Sequence, residues 1–265
     1  MPLLHLVVLA LVQGITEFLP ISSSAHLVLV PSLTGWDDQG PVIDIAVHVG
    51  TLLAVVLYFR RDVAEMTLGF LALLRRSSTA GARLALQVLI ATLPVLAAGA
   101  VLHEVGMELF RSVEVIAWAT LGFGALLWFA DRTGGQRRGV ADLSFAGAFA
   151  IGLAQVLALI PGTSRSGITM TAGRLLGMRR FAAARFSLLM SIPTILAAGT
   201  LAGLDLYAAG DVALGLDALL AAGLAFIAAL ASIAVMMRWL KTASFTPFVL
   251  YRVALGVGLL VWIYA

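Results

Sequence analysis

Six stretches of the chain, at roughly 42–59, 84–102, 113–130, 184–203, 214–237 and 246–264, are apolar almost without a break. A helix needs about 20 such residues to cross the hydrocarbon core of a bilayer. The runs are continuous and do not alternate polar with apolar, so they do not read as strands of a membrane barrel. Backbone groups in lipid must bond to one another, and a helix does this within one segment. Composition agrees, with 61% hydrophobic and 12% charged residues. That charged share is about half that of a soluble domain. The 265 residues therefore read as a single all-α polytopic membrane domain with six transmembrane helices.

Two further apolar stretches, 3–30 and 145–173, are interrupted near their middles. The first break is Pro20-Ile21-Ser22-Ser23-Ser24, the second Pro161-Gly162-Thr163-Ser164-Arg165-Ser166-Gly167. Proline removes a backbone donor and disfavours helix in the residue before it. Each flanking piece is too short to span. The expectation is a re-entrant helical hairpin at each break, against the alternative of a kinked span. Charge favours the hairpins. Arg60, Arg61, Arg75, Arg76 and Arg83 lie in one connection, Arg132, Arg137 and Arg138 in the next. Arg174, Arg179, Arg180 and Arg185 follow, then Arg238 and Lys241. The positive-inside rule makes all four cytoplasmic. The connections with Asp37 and Asp38, Glu104 and Glu108, and Asp205 and Asp211 read as outside. Segments 131–142 and 174–185 then share a side, so 145–173 must enter and return. The first run has no basic residues before it and no evident small-residue cleavage site, and is expected to belong to the mature chain.

Each half, 1–130 and 143–265, now holds one broken hairpin and three spans. Three is odd, so the second half is expected upside down relative to the first. Gln13, Ser22 and Ser24 recur 142 residues later as Gln155, Ser164 and Ser166. Inverted repeats of this kind bring broken helices together near the bilayer midplane and build a site there.

Glu17 is the sharpest candidate for that site. It sits one turn after Gln13 in an apolar helix, and an intramembrane carboxylate is a functional candidate by default. Arg165 is its natural partner, and a guanidinium fork suits phosphate oxygens. Ser22, Ser23, Ser164 and Ser166 stand at helix starts, where free N–H groups and the dipole favour an anion. They also suit plain N-capping. His26 falls three residues after Ser23 and is a candidate base or acid beside it. Thr169 follows Arg165 by one turn and adds a hydroxyl or back-bonds its helix. His48 has no evident partner, and Arg252 is placed to snorkel to a cytoplasmic end. No cysteine is present, which excludes disulfides and thiolate chemistry. A net charge of +3 without a clustered basic surface argues against a nucleic-acid partner.

With these residues placed, the chain resembles the undecaprenyl-pyrophosphate phosphatase, or bacitracin-resistance, family. The stretch from Gln13 through Glu17, Pro20, Ser22 and Ser23 to His26 is similar to the family's acidic element. The stretch Pro161-Gly162-Thr163-Ser164-Arg165-Ser166-Gly167-Ile168-Thr169 is similar to its arginine element. The resemblance implies Gln13 and Glu17 as the acidic pair, Ser23 and His26 as catalytic, and Ser164, Arg165 and Thr169 as phosphate-binding. Many members carry Glu where this chain has Gln13, so the implied Mg²⁺ or Ca²⁺ on Glu17 and Gln13 would lose one anionic ligand. The implied activity is removal of the terminal phosphate of a polyprenyl pyrophosphate, which would recycle the lipid carrier for peptidoglycan synthesis. The implied setting is the bacterial plasma membrane, with the site opening to the outer face and a homodimer as the assembly considered. Two routes stand open: attack by Ser23 with His26 taking its proton, or attack by a metal-activated water held by Glu17. The competing function is a transporter or flippase for a phosphorylated lipid or anion, which would share the architecture but need no nucleophile.

Overall fold

In the computed structural model, residues 2–37, 39–74, 77, 79–105, 112–208 and 215–265 are described. Asp38, Arg75, Arg76, Glu108 and Asp211, used above for topology, lie outside them, as does the side chain of Glu104. The helices are α1 (Leu3–Thr16), α2 (Ser23–Thr34), α3 (Gly40–Tyr58), α4 (Arg60–Leu74), α5 (Ala80–Val105) and α6 (Val113–Thr133). They continue with α7 (Phe145–Val156), α8 (Arg165–Leu175), α9 (Arg180–Ala208), α10 (Leu216–Trp239) and α11 (Thr246–Tyr264). A 3-10 turn, Leu157–Leu159, extends α7 into the second break.

Six of these helices, α3, α5, α6, α9, α10 and α11, are long and apolar enough to cross a membrane. They correspond to the six stretches read from the sequence. Their ends follow local chemistry. Ser112 Oγ accepts from Val115 N at 3.2 Å and Ser144 Oγ from Gly147 N at 3.0 Å, so α6 and α7 begin on serine caps. Proline in the first turn starts α3 and α11, where its missing N–H costs nothing. α4 departs from expectation, since 60–83 reads as a plain connection in sequence. It forms because its backbone lies directly on α5. A Cβ at Gly69 would sit 2.1 Å from Ala82 N, and one at Gly81 2.0 Å from Glu65 O.

The two short helices at the chain's breaks pack in a crossed fashion. α1, from the first half, lies against α10 of the second, and α7, from the second half, lies against α5 of the first. Small residues make room for both contacts. A Cβ at Gly14 would meet Ala228 Cβ at 2.6 Å, and one at Gly152 would meet Ala91 O at 2.4 Å. α3 packs on α9, and α6 on α11. Each broken pair turns back on itself. His5, near the start of α1, stacks on Trp36, just beyond α2, at 3.7 Å between ring centres. A Cβ at Gly147 in the first turn of α7 would lie 3.6 Å from Leu176, just beyond α8.

The basic connections gather at one end of the bundle. Asp131, at the end of α6, takes Arg180 Nε at 2.6 Å and Arg174 Nε at 3.3 Å on one oxygen. Its other oxygen accepts from Phe245 N at 3.1 Å. Arg174 also donates to the carbonyls of Gly134 at 2.8 Å and Gly135 at 2.6 Å. Arg185 pairs with Asp62, and Gln87 donates to Leu143 O at 2.6 Å. The connections at 60–62, 131–143, 174–180 and 245 therefore meet in one place.

Candidate active site

Each break ends on a serine with left-handed backbone. Ser22 has φ +74° and Ser164 φ +71°, and they are the two non-glycine residues with positive φ among the described residues. Such a conformation costs of order 1–3 kcal/mol and persists where the surroundings fix it. Ser164 Oγ accepts from Gly167 N at 3.1 Å and caps α8. Ser22 makes no such cap on α2. In both breaks two serines spaced two residues apart pair, Ser22 Oγ with Ser24 Oγ at 3.3 Å and Ser164 Oγ with Ser166 Oγ at 3.1 Å.

The two breaks meet. Ser166 Oγ of the second donates to the carbonyl of Leu19, which leads into the first, at 2.8 Å. Arg252, wholly buried in α11, donates to both. Its Nη1 reaches Pro20 O at 3.2 Å and Thr163 O at 3.0 Å, and its Nη2 reaches Gly162 O at 2.9 Å. Its Nε donates to Thr120 O on α6 at 3.0 Å. The expectation that Arg252 snorkels to a helix end is therefore corrected. Arg252 stays in the middle because carbonyls released by the breaks satisfy its donors there.

Glu17, the residue that ends α1 three positions before Pro20, is the centre of the site. Arg165 Nη2 lies 2.7 Å from Oε1. Oε2 accepts from Ser23 Oγ at 2.6 Å and from Gln13 Nε2 at 2.9 Å. His48 Nε2, on α3, approaches the same oxygen at 4.0 Å. Arg165 is steadied from behind: Nη1 donates to Ser187 O at 3.3 Å, and its guanidinium lies 5.9 Å above the Phe18 ring. Thr169 Oγ1 donates to Arg165 O at 2.8 Å and pairs with Ser187 Oγ at 2.7 Å, behind the arginine.

A cavity of about 360 Å³ opens over this cluster. Glu17, Ser22, Ser23, Ser164 and Arg165 line its polar end, with His48 and Asp44 of α3. Val95 of α5 and Ile195, Ala198, Gly199 and Ala202 of α9 line the rest. A group with an anionic head and an apolar body matches that division.

Of the residues picked from sequence, Gln13, Glu17, Ser22, Ser23, Ser164, Arg165, Ser166 and Thr169 are brought together. His26 departs from expectation. The Ser23–His26 pair does not form, because Ser23 donates to Glu17 while the His26 ring turns to Ser22 O and Tyr251. His48, Ser187, Tyr251 and Arg252 were not singled out as site residues. Their partners lie far away in sequence, and only His48 and Arg252, as polar groups in apolar stretches, gave a signal.

A helical, membrane-crossing protein that sets a carboxylate-bound serine beside an arginine is built to act on an anionic group carried into the bilayer. This chain belongs to the family described as bacitracin resistance protein BacA, which it matches over residues 6–258. It is 54% identical over 267 residues, covering both chains entirely, to the undecaprenyl-diphosphatase of Roseobacter denitrificans. It is 55% identical over 262 residues, 98% of each chain, to that of Ruegeria pomeroyi. It is 51% identical over 266 residues, 98% of each chain, to undecaprenyl-diphosphatase 2 of Stutzerimonas stutzeri.

Proposed function

We infer that this chain is an undecaprenyl-diphosphatase, removing the terminal phosphate of undecaprenyl pyrophosphate to leave undecaprenyl phosphate and inorganic phosphate. The observation that carries the chemistry is the 2.6 Å hydrogen bond from Ser23 Oγ to Glu17. It puts a nucleophile on a carboxylate that is also paired with Arg165. Ser23 Oγ attacks the terminal phosphorus as Glu17 takes its proton. The anhydride P–O bond breaks, and undecaprenyl phosphate leaves as an anion needing no proton. Water then attacks the phosphoserine, Glu17 returns its proton to Ser23 Oγ as that P–O bond breaks, and the protons of the water leave with the released phosphate. Arg165 and the N–H groups opening α8 face the phosphoryl oxygens, where charge stabilisation contributes most to phosphoryl transfer. The apolar arm at Ala198, Gly199 and Ala202 takes the first part of the polyprenyl tail.

The residues also fit a divalent cation, Mg²⁺ or Ca²⁺, shared with the substrate. Gln13 Oε1 is buried with no hydrogen-bond partner among the described residues, next to the Glu17 carboxylate. Mg²⁺ is commonly held by one or two carboxylates plus substrate phosphates. Glu17 and Gln13 would hold it, and its charge would offset that of the diphosphate.

The finer architecture belongs to the same reading. The α1–α2 and α7–α8 pairs act as re-entrant hairpins, and 1–130 and 143–265 as inverted repeats. The matched strained serines and the crossed packing of α1 on α10 and α7 on α5 support this. The cavity reaches toward Asp44 and Ala202, away from the basic end. With that basic end cytoplasmic, the site opens to the outer face of the bacterial plasma membrane. Lipid carrier recycled there serves cell-wall synthesis and gives bacitracin resistance. A carrier or flippase would have no use for the Ser23–Glu17 contact. The deciding experiment is phosphate release from undecaprenyl pyrophosphate by purified protein in detergent, with acid trapping of phosphoserine. Ser23→Ala retaining full activity overturns the serine mechanism, and no phosphate release by the unaltered protein overturns the function.

A further inference from the structure

His26 is absent from the cavity wall, and both of its ring nitrogens are engaged. Nδ1 lies 2.7 Å from Ser22 O, and Nε2 lies 2.5 Å from Tyr251 Oη of α11. A carbonyl oxygen only accepts, so Nδ1 carries the ring proton. Nε2 of the neutral ring is then an acceptor, and Tyr251 Oη donates to it. The rings lie within 15° of parallel with centres 5.7 Å apart. A ring held this way has no lone pair for a Ser23 proton.

The position of these contacts gives them a purpose. Ser22 is the strained residue of the first break, at φ +74°, and its carbonyl belongs to the peptide that leads into Ser23. In the second break the matching serine is steadied by its own side chain on Gly167 N at 3.1 Å. Ser22 lacks that cap. The Ser22 carbonyl instead takes His26 Nδ1–H, one helical turn on. Tyr251 fixes which nitrogen of His26 is protonated, as an outer partner does for many functional histidines. Its neighbour Arg252 fixes Pro20 O in the same break.

We propose that Tyr251 and His26 are positioning residues that hold the Ser22–Ser23 peptide so that Ser23 Oγ meets Glu17, with His26 acting as a hydrogen-bond strut and not as a base. The proposal rests on the phosphatase reading above for its kinetic arm alone. Tyr251→Phe removes only a hydroxyl and lowers kcat about tenfold with KM unchanged, since misplacement near 1 Å costs up to about 10²-fold. His26→Asn keeps a donor near the Nδ1 position and stays within about tenfold of the unaltered enzyme, while His26→Ala loses about 10²-fold. Tyr251→Phe adds nothing further in the His26→Ala background, because its effect passes through the missing ring.

The arm independent of turnover is nitrogen NMR of protein labelled at histidine, with the His26 signals assigned by their loss in either His26 variant. The expected spectrum shows a neutral ring protonated at Nδ1, with the Nε2 signal shifted in Tyr251→Phe. Protonation at Nε2, or a folded His26→Asn as inactive as His26→Ala, overturns the proposal. If the unaltered protein releases no phosphate, the function reading fails, and the NMR result still decides for or against the strut.

Discussion

Arg252→Lys tests how strongly one buried cation holds the two breaks. The Arg252 guanidinium donates to five carbonyls: Thr120, Pro20, Thr163, Gly162 and, at 3.4 Å, Ala119. A lysine ammonium has three protons and a single position, so at least two of these acceptors lose their donor. Each of these is a hydrogen bond from a charged group, and losing one costs about 1–3 kcal/mol, so the loss is about 2–6 kcal/mol. At about 2–4 °C of Tm per kcal/mol for a chain of this length, thermal unfolding in detergent falls by roughly 4–24 °C. Two of the carbonyls belong to the second break and one to the first, so the geometry around Ser23 and Arg165 loosens as well. Turnover falls about 10–100-fold below the new Tm, where the protein is still folded. The measurements are thermal unfolding by tryptophan fluorescence and phosphate release at a temperature well below both transitions. A Tm change under about 2 °C together with unaltered turnover would refute the reasoning, because the acceptors would then have found other donors.

Three further outcomes are expected. Arg165→Lys keeps the charge but loses the fork that joins Glu17 to Ser187 O, and its kcat falls about 10²-fold in the phosphate assay. Gly199→Trp meets nothing within 4 Å of its new Cβ, so the protein folds while the indole fills the apolar arm. Hydrolysis of undecaprenyl pyrophosphate then drops about tenfold, and farnesyl pyrophosphate, with its short tail, is spared; an equal loss on both would remove the tail from that arm. Because the chain has no cysteine, Asp37→Cys and Gly135→Cys can be labelled singly in sealed vesicles. Impermeant reagent reaches them from opposite faces, and labelling of both from one face would break the topology.

The sequence alone determined the membrane class and the six long helices, because hydropathy over about 20 residues is a local property of the chain. It marked both breaks through Pro20 and Pro161, and it marked Glu17 and Arg165 because a charge in lipid is costly wherever it ends up. Tertiary structure decided what these groups do to one another. Spacing placed His26 on the face of Ser23 and made it a candidate base or acid. The fold gave Ser23 to Glu17 instead, because Ser22 turns left-handed at φ +74° and α11 brings Tyr251 to the histidine. Arg252 looked like a side chain bound for the surface, until two breaks 142 residues apart supplied carbonyls around it. His48 reached Glu17 only through the packing of α3. Each missed residue is a long-range partner. Periodicity reads neighbours one turn apart, whereas these contacts exist only once separate helices are packed.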